Sequence, residues 1–129
     1  VRPDRADLVL AKARIDERLL RFEDAARGYR QAWDLTYRNP QWMEKSAEQL
    51  MRLGRSADAV EALRLAYMEN RADTGAAYFA VAEALERWGA IAEARKFAED
   101  GLRRAADDDP VLGRGLALRA RIATRQRGA

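Results

Sequence analysis

The strongest constraint on this chain is a comb of small residues at a nearly fixed period. Ala13 is followed after 34 residues by Ala47, Ala47 after 35 by Ala82, and Ala82 after 38 by Ala120. Each is trailed five positions later by an arginine (Arg18, Arg52, Arg87, Arg125), and the first three are trailed twelve positions later by Ala25, Ala59 and Ala94. A period of this length means that one small helical unit is stacked on copies of itself, because a single unit cannot bury its apolar face alone. Such a stack offers a long surface and rarely a closed pocket.

Composition is needed only to fix the class. With 129 residues, 48% of them hydrophobic, the chain has the size of one folding unit. Alanine dominates the apolar residues and β-branched ones are few, which favours helix over strand. Histidine and cysteine are absent. Thiolate and imidazole chemistry go with them, and with it the usual general base, so neither an enzyme nor a metal or cofactor site is expected. The longest apolar run, Gly75 to Ala82, falls well short of the roughly 18 residues that a membrane helix needs. No initiating methionine or charged-then-apolar leader is visible, so the chain is expected to be a piece of a longer protein, its compartment open.

Periodicity and punctuation predict seven helices. The first runs between Arg5 and Leu20, with Leu8, Ala11, Ile15 and Leu19 as its apolar stripe. Phe22 to about Tyr37 is the second. Asn39 and Pro40 supply a cap and a first-turn proline for the third, which Gly54 ends; Ser56 caps a fourth over Ala57 to about Glu69. The fifth spans Asp73 to Trp88, with Gly89 after it, and the sixth Ala90 to about Ala106. Asp107, Asp108 and Asp109 then suit the start of a seventh from Pro110 to about Arg125. Leu112, Leu116, Ala120 and Ala123 are its apolar stripe. No Gly/Ser-rich or Pro-rich linker interrupts the series.

These residues resemble the tetratricopeptide repeats, which pair two antiparallel helices in about 34 residues. The small residue midway along the first helix is matched by Ala13, Ala47, Ala82 and Ala120. The small-large-small pattern of the second is matched by Ala25, Tyr29, Ala32, then Ala59, Leu63, Ala66, then Ala94, Ala98, Gly101. Pro40 and Pro110 match the family's closing proline; Gly54 and Gly89 match its turn glycine, where the first repeat has Leu20. Lys12, Asp16 and Ala98 depart from the pattern. The resemblance implies an all-α, right-handed superhelix (a solenoid) of antiparallel helix pairs, as one domain. Its repeats are at about 5–38, 39–72 and 73–109, followed by an unpaired or capping helix at 110–126.

In that family first helices line a concave groove in which partner peptides lie. Three positions before each first-helix alanine and one, four and five after it fall on one side of a helix turning about 100° per residue. On this stripe Arg18, Glu48, Arg52, Phe79, Glu83, Arg87, Arg121 and Arg125 are the candidate partner-binding residues, with Phe79 and Met51 as apolar anchors. The competing reading is a solvated face, with Glu48–Arg52 and Glu83–Arg87 as ordinary i,i+4 pairs. A chaperone-gripping clamp found in some family members is not matched, since its positions hold Leu10, Arg14, Lys45, Ala76 and Ala80.

The expected partner is therefore a protein or peptide of mixed charge. All 21 acidic residues precede Pro110, so residues 1–109, with 19 basic side chains, carry −2 while 110–129 carry +5. Nucleic acid is disfavoured nonetheless, because no aromatics interleave with the basic residues of the last helix. Self-association through that helix is a second outlet for its apolar stripe. The alternative function is a structural spacer in a larger bacterial assembly, or in an envelope or polysaccharide-export protein.

Overall fold

A computed structural model describes residues 5–68, 74–106 and 109–128. Among them are seven α-helices and no strand: α1 (Arg5–Arg18), α2 (Phe22–Leu35), α3 (Pro40–Arg52), α4 (Ser56–Tyr67), α5 (Gly75–Arg87), α6 (Ile91–Arg104) and α7 (Leu112–Gly128). They form two compact units, Val1–Ala66 and Tyr67–Ala129. The all-α class expected from the sequence is what the structure shows.

The repeat is written into the turns. After α1, α3 and α5 the chain passes through a left-handed residue, Leu20 (φ 62°), Gly54 (φ 76°) and Gly89 (φ 83°). All three turns close with the same two hydrogen bonds: Arg21, Arg55 and Ala90 N–H donate to the carbonyls of Asp16, Leu50 and Leu85, while Leu20, Gly54 and Gly89 N–H donate to Glu17, Met51 and Glu86. This is the double bond of a Schellman C-cap. Two of the three turns place glycine where an L side chain is strained; the first places an exposed leucine there. Leu20→Gly is accordingly expected to raise stability by about 0.5–1 kcal/mol, the left-handed penalty less glycine's extra chain entropy. Chemical denaturation would check this, and an unchanged or lower midpoint would contradict it.

Helix starts follow the expected chemistry. The Asn39 side chain accepts from Gln41 N–H at 3.0 Å, with Pro40 beside it. Thr74 Oγ1 accepts from Ala77 N–H, and Asp109 accepts from Val111 N–H at 3.0 Å. Ser56 opens α4 itself and turns its hydroxyl to Met51 Sδ at 3.7 Å. Glu69, Asp73, Asp107 and Asp108 lie outside the described residues.

Packing confirms six of the comb alanines and corrects a seventh. Ala13, Ala25, Ala47, Ala59, Ala82 and Ala94 are all fully buried. Opposite Ala13 stands Gly28: a Cβ built on it would come within 2.9 Å of the Ala13 Cβ. Helices approach to roughly 8 Å only where such small residues meet. Ala120, by contrast, is exposed, and α7 buries Gly115, Leu118 and Ile122 instead. The contact residue of α7 is thus Gly115, 33 residues after Ala82. A Cβ there would stand 2.6 Å from Phe79 Cε1 and closer still to Cζ, so no residue with a side chain fits without a shift.

A second correction concerns α1. Leu8, Ile15 and Leu19 are 59%, 54% and 55% exposed, and Leu10, Ala13 and Asp16 are buried. At about 100° per residue the first three lie some 120–160° round the helix from Ala13, whereas Leu10 and Asp16 lie within about 60° of it. A buried Asp16 is tolerated because Lys12 Nζ reaches its carboxylate at 2.8 Å.

Candidate protein-binding surface

In the first unit α1, α2 and α3 enclose a depression of about 570 Å³. Its centre is aromatic. Tyr29 from α2 and Trp42 from α3 lie stacked, centroids 6.3 Å apart and planes within 7°. Over them stand cations: Arg14 is 5.8 Å from the Trp42 ring centroid and Lys45 is 5.5 Å from that of Tyr29. Arg18 and Arg52 complete the lining.

Glu17 is the hub. It accepts from Tyr29 Oη at 2.7 Å and from Arg52 Nη1 at 3.0 Å, with Lys45 Nζ at 3.5 Å. Glu48 draws on the same two cations, at 3.3 Å from Lys45 and 3.4 Å from Arg52. Two of the four cations, Lys45 and Arg52, thus share two carboxylates. Arg14 and Arg18 have no carboxylate partner among the described residues. The surface therefore keeps an excess of positive charge beside the half-buried Trp42 ring, a combination that attracts acidic and apolar groups together.

Burial works to raise the Glu17 pKa, but the Tyr29 hydrogen bond and the charges of Lys45 and Arg52 prevail and hold it below its ordinary 4.5. Burial first, then the bond to Glu17 and its charge, push the Tyr29 phenol well above its ordinary range. In the second unit the hydrogen bond from Arg114, opposed by burial, holds Glu83 below 4.5 as well. For carboxylates depressed in the folded state, the stabilisation is present above the unfolded value and lost as pH falls through the folded one. Thermal stability should hold down to about pH 5 and fall below about pH 4.5. Glu83→Gln should soften that acid limb; a melting curve with the same acid slope would show that the pair does not contribute.

The second unit uses its charges differently. Glu83 on α5 takes two bonds from Arg114 on α7, the Nε one at 3.0 Å. Glu86 binds Arg121 at 3.2 Å and Arg125 at 2.6 Å, and Arg125 also reaches the Glu86 carbonyl. Arg121, 34 residues after Arg87, is the nearer register mate of the ladder, because α7 docks through Gly115. Phe79 is not on the exposed stripe. Its ring is fully buried between Gly101 and Gly115, where the missing Cβ atoms make room for it. Arg87 is exposed, and Met51 is half-buried near the turn into α4.

Of the candidates read from sequence, the structure brings Arg18, Glu48 and Arg52 together, and it ties Glu83, Arg121 and Arg125 into contacts between helices. Sequence reasoning passed over Trp42. It has no counterpart at the repeat period, where Leu8 and Ala77 stand, so a search for recurring positions cannot find it. A lone large aromatic two residues after a helix-starting proline was the signal available. Among the described residues no group of His, Cys, Asp or Glu is placed to hold a metal ion, and no helix is long and apolar enough to cross a membrane.

These features define a helical repeat protein with a charged, aromatic-floored surface. No family model matches the chain and no curated protein does. Among solved structures it is similar to the Yersinia enterocolitica type III secretion chaperone SycD, determined in complex with a peptide of the translocator YopD. The likeness covers 97% of each chain at a TM-score of 0.55, with 15% identity. At that identity it speaks for the fold alone.

Proposed function

We propose that this chain is a tetratricopeptide-type scaffold that binds protein segments and catalyses nothing. The carrying observation is the depression around the Tyr29–Trp42 stack, with Arg14, Arg18, Lys45 and Arg52 crowded about Glu17 and Glu48. An extended peptide with acidic and apolar side chains fits it: carboxylates reach Arg14 and Arg18, and an apolar side chain lies on Trp42. Glu17 and Glu48 oppose a uniformly polyanionic ligand such as nucleic acid. The peptide complex of SycD supports a peptide-binding reading.

The test is affinity capture from the source organism with wild type and with Arg14→Glu/Arg18→Glu. Both positions are exposed and neither supports the fold through an ion pair, so the variant should fold. Loss of specific partners, followed by at least about tenfold weaker binding of the synthesised segment, is expected. Identical partners from both folded proteins would leave the alternative, a spacer in a larger bacterial assembly.

A further inference from the structure

The second unit leaves a groove of about 550 Å³ open along the edge where α6 meets α7. Its floor is apolar, with Ala98 on α6 and Leu116 and Ala120 on α7, and Leu116 is 42% exposed. Its rim is basic: Arg119 and Arg127 have no carboxylate partner among the described residues, while Arg95 is answered by Glu99 at 2.9 Å.

We infer that the α6–α7 edge docks an amphipathic helix of a partner protein, with small and leucine side chains on one face and acidic residues flanking it. Charge selects this occupant over a second copy. The α7 helix carries five arginines and no acid, so pairing it with itself sets Arg119 and Arg127 against their own kind. The other exposed apolar stripe, on α1, is flanked by Arg5, Lys12, Arg14 and Arg18 against Asp7 and Asp16, and is also net basic. An acidic helix meets neither obstacle.

Two labelled synthetic peptides test this, each a helix of about 17 residues to match α7, with one alanine-leucine face and flanks of glutamate in one and lysine in the other. Anisotropy titrations against the whole chain should show the glutamate peptide binding at least about tenfold tighter than the lysine peptide. Amide shift changes should fall on α6 and α7. Leu116→Glu, and separately Arg119→Glu/Arg127→Glu, should each weaken binding at least about tenfold. These positions are exposed, so the folded state survives in both variants. The inference is overturned if the glutamate peptide fails to bind at about 1 mM, binds Leu116→Glu like wild type, or shifts residues of the first unit instead. Dimerisation of wild type that Leu116→Glu abolishes would overturn it too, making the occupant a second copy.

Discussion

Phe79→Ala is expected to cost about 3–5 kcal/mol, a large share of the stability of a domain this size. The ring is fully buried and wedged between two glycines, so its removal leaves a void that neither Gly101 nor Gly115 can fill. A companion substitution makes the prediction sharp. In wild type Gly115→Ala must push against the ring, and overpacking of about 1–3 kcal/mol outweighs the roughly 1 kcal/mol that alanine gains over glycine in a helix. In the Phe79→Ala background the obstacle is gone, and Gly115→Ala should become stabilising by up to about 1 kcal/mol. Denaturant unfolding of the four proteins measures the change of sign. The same sign in both backgrounds would mean that α7 does not dock through Gly115.

Ala59→Trp should be nearly as damaging, at about 3 kcal/mol or more, since it drives an indole into a fully buried position on α4. The residue was singled out by spacing alone, twelve after Ala47. A melting temperature unchanged by the indole would remove the register on which the repeat reading rests.

Spacing succeeded where the same contact recurs and failed where a contact is met once. Two turn glycines and six buried alanines were legible because each small residue answers a demand that repeats every 34 or 35 residues, whereas the matching turn at Leu20 was not, since no glycine marks it. On α7 the demand changes: Phe79, a large ring on α5, leaves room only for glycine, so the comb alanine Ala120 lost to Gly115. On α1 the larger apolar residues suggested the buried face, but the closeness of Ala13 and Gly28 decided it. At the candidate surface the cations were legible as a ladder, and so was Glu48 as the i,i+4 partner of Arg52. The partners across helices were not, because Glu17 with Arg52, and in the second unit Glu86 with Arg121, are 35 residues apart, a separation that local helix rules do not search.

The way α7 is held has a consequence for motion. It buries only two side chains, Leu118 and Ile122, besides Gly115, while Arg114, Arg121 and Arg125 reach across to α5 at the surface. Exposed ion pairs lose reach as the Debye length shrinks from about 8 Å at physiological salt to about 3 Å at 1 M, whereas apolar burial is not screened. Detachment of α7 is therefore a partial opening whose free energy salt adjusts while the α5–α6 pair stays closed. Its amides would exchange with solvent together, ahead of the rest of the unit, and faster in concentrated salt.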